Sequence, residues 1–112
     1  MSVSKPTFVP GVSAGTGATA SVDGEDAMGQ ITLNVGTLPV LDDDIGAAFF
    51  GAAFSEAPSA IILTPANSNA ALRSSNVWIP KTSITKDGFD LKNVGVALTA
   101  NLTYVWYYQV LR

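Results

Sequence analysis

The chain contains neither cysteine nor histidine. Without cysteine it has no disulfide framework and no thiolate site. Without histidine it lacks the commonest general base, the commonest metal ligand and any Ser-His-Asp arrangement. Both absences argue against an enzyme, and the first also argues against a small secreted module held together by disulfides. We therefore expect a non-enzymatic protein with no cofactor and no metal centre.

Charge is also scarce. Charged residues make up 13% of the 112 residues and the net charge is -3, whereas an average soluble domain carries roughly 25%. The six basic residues are scattered, so the clustered basic surface that nucleic-acid binding requires is missing. No apolar run approaches the ~18 residues of a membrane-spanning helix, and no secretory signal follows Met1. Because the cores of protein interfaces are depleted in charge, the composition favours a homo-oligomer.

The apolar pattern indicates short β-strands separated by turns. Turn signals lie at Asp23-Gly24 and at Lys86-Asp87-Gly88, and residues 66–75 are predicted to form a loop or a single helical turn. The predicted strands cover residues 18–22, 29–35, 47–54, 60–64, 76–79, 82–85, 89–91 and 102–111. About eight strands at a spacing of roughly 8–12 residues predict an all-β fold, an antiparallel, jelly-roll-like β-sandwich.

Residues 1–16 are predicted to form an extended N-terminal arm, separate from a β-sandwich domain of residues 17–112. Pro6 and Pro10 fix φ and remove backbone donors, so the segment between them is extended rather than helical. Phe8 and Val9 lie between the prolines and are the candidate anchors. We expect this arm to attach the domain to a neighbouring protein.

The last strand is apolar on both of its faces. Alternation divides six of its residues into two layers, either of which can belong to the core or to an oligomer interface: Tyr104, Trp106 and Tyr108 in one layer, and Val105, Tyr107 and Leu111 in the other. One layer can close a domain core, and in so short a chain the other is most easily covered by a second subunit. Which layer meets the partner stays open.

Two surface features allow a functional and a simpler interpretation. The run Asp42-Asp43-Asp44 has oxygen atoms for a hard cation or for a basic partner, but it lacks the alternating ligands and distal Glu of an EF-hand. A solvated acidic loop is the simpler interpretation. The loop amides of Asn67 and Asn69, together with Trp78, are candidates for a surface that binds a ligand such as a host glycan. Turn chemistry and packing explain the same residues more simply.

Several motifs, taken in order, resemble a family of bacteriophage virion domains. This family includes the C-terminal domains of tail-fibre proteins and small stand-alone virion proteins, and the resemblance covers about residues 15–112. The motifs are Gly15-Thr-Gly-Ala-Thr-Ala-Ser-Val-Asp-Gly24, Gly29-Gln-Ile-Thr-Leu33, Ala57-Pro58 before Ile62-Leu63-Thr64-Pro65-Ala66-Asn67, and Leu102-Thr-Tyr104 at the start of the aromatic strand.

The resemblance implies a compact, non-catalytic β-sandwich, usually a homotrimer, on the outer surface of a phage particle made in the bacterial cytoplasm. Since only about sixteen residues precede the domain, we expect a capsid decoration protein or a short head fibre that sits directly on other virion proteins. The alternative is the receptor- or carbohydrate-binding tip of a tail fibre. Neither role calls for nucleic-acid binding or membrane insertion.

Overall fold

A computed structural model describes residues 5–112, which form two four-stranded antiparallel sheets. The strands are β1 (Thr7–Pro10), β2 (Thr19–Gly24), β3 (Met28–Asn34), β4 (Asp44–Phe49), β5 (Ala60–Pro65), β6 (Val77–Trp78), β7 (Gly88–Asn93) and β8 (Thr103–Leu111). One short helix, α1 (Ser68–Leu72), lies where residues 66–75 were predicted to turn. The first sheet has the order β1-β4-β7-β6 and the second β2-β3-β8-β5. The predicted all-β sandwich of about eight strands is confirmed.

The last strand, β8, lies in the middle of the second sheet. It pairs with β3 on one side and with β5 on the other, and the three strands are antiparallel neighbours. Tyr104, Trp106, Tyr108 and Val110 are buried, whereas the residues between them point away from the core. Because successive side chains of a strand point to opposite faces, β8 closes the core with one face and leaves the other outside.

The core lies between the two sheets, and both contribute to it. Ile31 from the second sheet and Ile45 and Leu91 from the first are fully enclosed. The rings of Phe89 on β7 and Tyr108 on β8 meet across the interface between the sheets, with centroids 6.3 Å apart. Each large apolar side chain that is fully buried contributes about 1.5–3 kcal/mol. Each sheet therefore depends on the other to cover its apolar face.

The described part of the predicted arm belongs to the sandwich. Thr7–Pro10 pairs with β4 as the edge strand of the first sheet, and Phe8 is only 6% exposed. Pro6 is also buried, so neither residue is free to anchor a neighbour, while Val9 remains outside. Prolines are tolerated here because an edge strand pairs on one side only. The fold thus begins before the predicted boundary at residue 17, and residues 1–4 lie outside the described residues.

Local side-chain hydrogen bonds explain a second difference between the predicted and the observed strands. Residues 82–85 were predicted as a strand, but Lys81–Ser83 forms a 3-10 turn and only Thr85 makes a bridge, to Gly88. The hydroxyl of Ser83 donates to the carbonyl of Pro80 at 2.7 Å and accepts from the backbone N–H of Asp90 at 3.1 Å. These bonds fix the segment beside β7 without a regular ladder.

Candidate interaction surfaces

The outer face of the second sheet is the first candidate site. We use this name for the outward side chains of its four strands, on which Asp23 is the only charged residue. Tyr107, at the centre of β8, is 52% exposed. The face comprises Thr19, Ser21, Asp23, Met28, Gln30, Thr32, Asn34, Ala60, Ile62, Thr64, Thr103, Val105, Tyr107, Gln109 and Leu111. An almost uncharged sheet face with exposed apolar groups is suited to contact with another surface.

A groove of about 440 Å³ crosses this face. Gln30 and Thr64 lie opposite Tyr107 on the two neighbouring strands, so the aromatic ring stands between an amide and a hydroxyl. In the next row Gln109 is flanked by two apolar side chains, Met28 and Ile62. The groove therefore combines apolar walls with uncharged hydrogen-bonding groups. It can accept an apolar side chain of another subunit or a neutral small molecule.

Two buried polar groups stabilise the chain below the groove. The hydroxyl of Tyr108 donates to the carbonyl of Glu25, and burial, reinforced by the nearby charges of Asp26 and Glu25, raises the pKa of Tyr108 to about 12. The carboxylate of Asp26 accepts from the backbone N–H groups of Gly51 at 2.8 Å and Ala52 at 3.0 Å. The turn between β2 and β3 is thereby tied both to β8 and to the segment that follows β4.

Two of the three residues predicted as a ligand surface use their side-chain amides within the fold. Asn67 caps α1 by accepting from the N–H of Ala70 at 2.9 Å, and its amide donates to the carbonyl of Thr103 at 3.0 Å. The amide of Asn69 donates to the same carbonyl at 2.9 Å. Trp78 is half-exposed, but it lies on β6 in the other sheet. The two amides join α1 to β8, and a ligand role for the three residues stays a prediction.

The three aspartates at residues 42–44 have separate partners. The carboxylate of Asp42 accepts from the N–H of Gly95 at 3.2 Å, and that of Asp43 accepts from the N–H of Asp44 at 2.7 Å. Asp44 forms an ion pair with Lys92 at 3.3 Å. Within residues 5–112 no group of three or more acidic side chains is placed to hold a metal ion. Asp42 and Asp43 therefore lie on an anchored loop with exposed carboxylates, whereas Asp44 begins β4 and is paired with Lys92.

A second candidate surface lies at one end of the sandwich. Four connections meet there, residues 11–18, 35–43, 66–76 and 94–102, and backbone hydrogen bonds join them, such as Gly36 N–H to Ala14 at 2.9 Å and Val35 N–H to Leu102 at 3.0 Å. We call it the apolar end because these connections carry eight of the fifteen large hydrophobic side chains that are exposed. The eight are Val12, Leu38, Val40, Leu41, Leu72, Val94, Val96 and Leu102.

Buried polar side chains hold these loops in place. Ser13 is fully buried, and its hydroxyl accepts from the N–H of Asp43 at 3.1 Å. Asn93 is also buried and donates to the carbonyl of Val96 at 2.7 Å. Leu38, which is 81% exposed, has a positive φ of 55°, a conformation that costs a side-chain-bearing residue roughly 1–2 kcal/mol. The fold thus presents an exposed leucine in a strained conformation on anchored loops.

Comparison with known proteins adds no relative. No protein-family model, curated protein or solved structure matches this chain. Within residues 5–112 there is no helix with the length and apolar character needed to cross a membrane. The two surfaces therefore have to be interpreted from their own geometry and chemistry.

Proposed function

We propose that this chain is a non-enzymatic structural protein of a bacteriophage virion, a trimeric β-sandwich on the particle surface such as a capsid decoration protein or a short head fibre. The observation that carries the proposal is the outer face of the second sheet, which leaves Met28, Ile62 and Tyr107 about half-exposed. The virion setting rests on the order of the sequence motifs between residues 15 and 112. Contact with other copies of the chain covers this face. Such a contact explains why the chain has so few charged residues.

The size of the face fits an oligomer contact better than an isolated surface. A standard interface involves about 20–30 residues on each side, and the outer face supplies fifteen before any adjoining loop is included. Tyrosine and methionine are enriched in interface cores, whereas charged residues are depleted there. The groove beside Tyr107 is a ready recess for a side chain of the neighbouring subunit.

Light scattering and a charged substitution test the assembly. Purified protein at micromolar concentration should have three times the 11.6 kDa mass of the chain. Tyr107→Lys should give the monomer mass, because an unpaired ammonium group is costly to bury. The matched control is Leu72→Lys, which adds the same charge at an exposed position of α1, and it should remain a trimer.

Two results would count against the proposal. A monomer mass for the wild-type protein would contradict the assembly. Absence of the chain from the mass spectrum of purified particles of the phage that encodes it would contradict the virion role.

The groove also supports a second candidate function, the binding of a host glycan by a tail-fibre tip. Within residues 5–112 the side chains of Gln30, Thr64 and Gln109 form no hydrogen bond to the protein, and they surround the half-exposed ring of Tyr107. Such a groove suits a neutral saccharide, which stacks on an aromatic face and uses amides for its hydroxyls. Binding on an array of neutral and acidic glycans, lost in Tyr107→Ala while the circular dichroism spectrum is unchanged, would favour this role. An array without binding would remove it.

A further inference from the structure

We infer that the apolar end is the surface by which the domain docks onto a different protein of the particle, one whose contact surface is apolar and bordered by lysine or arginine. The inference rests on the proposed virion function and assigns its attachment surface. It differs from the predicted attachment through residues 1–16, because Pro6 and Phe8 are buried in the domain itself; residues 1–4 lie outside the described residues.

The contrast between the two ends of the sandwich is the first argument. At the end opposite to the apolar end, the connections 25–27, 50–59 and 79–87 contain none of the exposed large hydrophobic side chains found in residues 5–112. Those connections carry six charged residues, whereas the connections of the apolar end carry three, Asp42, Asp43 and Arg73. The six are Glu25, Asp26, Glu56, Lys81, Lys86 and Asp87. The two ends of the sandwich therefore differ in surface chemistry, as expected of a domain that is attached by one end. Exposed apolar groups gathered at one end are typical of a contact surface.

The anchoring of the loops at the apolar end is the second argument. Its loops are joined by backbone hydrogen bonds and by the buried side chains of Ser13 and Asn93. Leu38 is held at positive φ and projects into solvent. A rigid, preorganised apolar group loses little conformational entropy on binding, so more of its burial energy is available for affinity.

The charged residues of the apolar end indicate the chemistry of its partner. Asp42 and Asp43 lie in the same connection as Leu38, Val40 and Leu41, and within residues 5–112 only the next aspartate, Asp44, has a cation as partner. A basic border on the other protein would complement these carboxylates and steer its approach. The four connections carry two acidic residues, Asp42 and Asp43, and one basic residue, Arg73, so each apolar end has a net charge of −1. A second copy docked end to end would bring two ends of the same sign together, which is unfavourable.

Binding to particles tests the inference. The assay measures how much purified protein binds to particles of the encoding phage from which this gene has been deleted. Leu38→Ser and Val12→Ser should each weaken binding by about tenfold or more, the loss expected for a well-buried contact residue. The matched control is Val9→Ser, since Val9 on β1 is 56% exposed and Val12 at the apolar end is 59% exposed.

A charge variant tests the nature of the partner. Asn keeps an oxygen acceptor, so the double variant Asp42→Asn/Asp43→Asn should preserve the loop contacts to Gly95 and Asp44. Its binding should be weaker at low salt and less sensitive to added salt than that of the wild type. All variants should keep the trimer mass and the circular dichroism spectrum of the wild type.

The outcomes separate the two proposals. If the wild type binds and the Leu38 and Val12 variants bind equally well, the docking inference is overturned and the virion function stands. Higher oligomers that are lost in Leu38→Ser would show a second copy as the occupant and would also overturn it. If the wild type binds no particles at all, the proposed function fails, and the inference fails with it.

Discussion

Replacing Phe8 by alanine should destabilise the domain strongly. The side chain is 6% exposed, and its ring packs so closely on β4 that a β-carbon at Gly46 would clash with it. Truncation of a buried phenylalanine to alanine costs about 3–5 kcal/mol, through lost burial and the cavity that remains. Because β1 is an edge strand that can partly relax, we expect a loss near the lower limit, ~3 kcal/mol.

Urea denaturation followed by tryptophan fluorescence measures this loss. With a slope of roughly 1.5 kcal/mol per molar urea for a domain of this size, the midpoint should fall by about 2 M. The matched control is Val9→Ala, since Val9 is 56% exposed on the same strand, and its midpoint should hardly change. Protein concentration must be the same throughout, because association with other copies adds apparent stability.

The refuting result is a Phe8→Ala protein with the wild-type midpoint. It would mean that residues 7–10 do not contribute to the core in solution and form an independent arm, as the prolines alone suggest. A large loss in both variants would instead point to a general effect on β1 and would not support the specific burial of Phe8.

Two further predictions concern buried polar groups. The pKa of Tyr108 is raised to about 12 from an ordinary 10.0, which means that the fold favours the neutral phenol. The stability that the neutral phenol contributes is complete below pH ~10 and is lost as the pH rises towards 12. Alkaline denaturation should therefore be less steep in Tyr108→Phe over this window, and an unchanged slope would contradict the burial argument. Asn67→Ala should lower the free energy of unfolding by about 1–3 kcal/mol, since it removes the cap of α1 and a hydrogen bond to Thr103. A thermal unfolding midpoint equal to that of the wild type would contradict this role and favour Asn67 as a ligand residue.

The layers of the last strand could be predicted from the sequence because alternation along a strand is a local property. Tyr104, Trp106 and Tyr108 are buried, and Tyr107 and Leu111 are exposed, as the two predicted layers require. Which layer is inside depends on the register with β3 and β5, and residues far away in the chain set that register. Alternation alone therefore left the assignment open.

The first strand could not be predicted, since its local signals point the other way. Two prolines and a glycine-rich stretch normally indicate a flexible segment, but an edge strand leaves half of its backbone groups unpaired in any case. The apolar end was also missed. Val12, Leu38 and Val94 are unremarkable singly in the sequence, and only the meeting of their connections with the fourth, residues 66–76, makes them one surface.

The position of the first and last described residues has a practical consequence. Lys5, the first described residue, approaches the backbone of Gly51, and the guanidinium of Arg112 lies 5.0 Å from the ring of Phe54. Both residues therefore flank the loop of residues 50–59, which lies at the end of the sandwich opposite to the apolar end. A domain or tag fused after Arg112 would be held away from the apolar end, so the sandwich could serve as a display scaffold whose far tip stays free for selection.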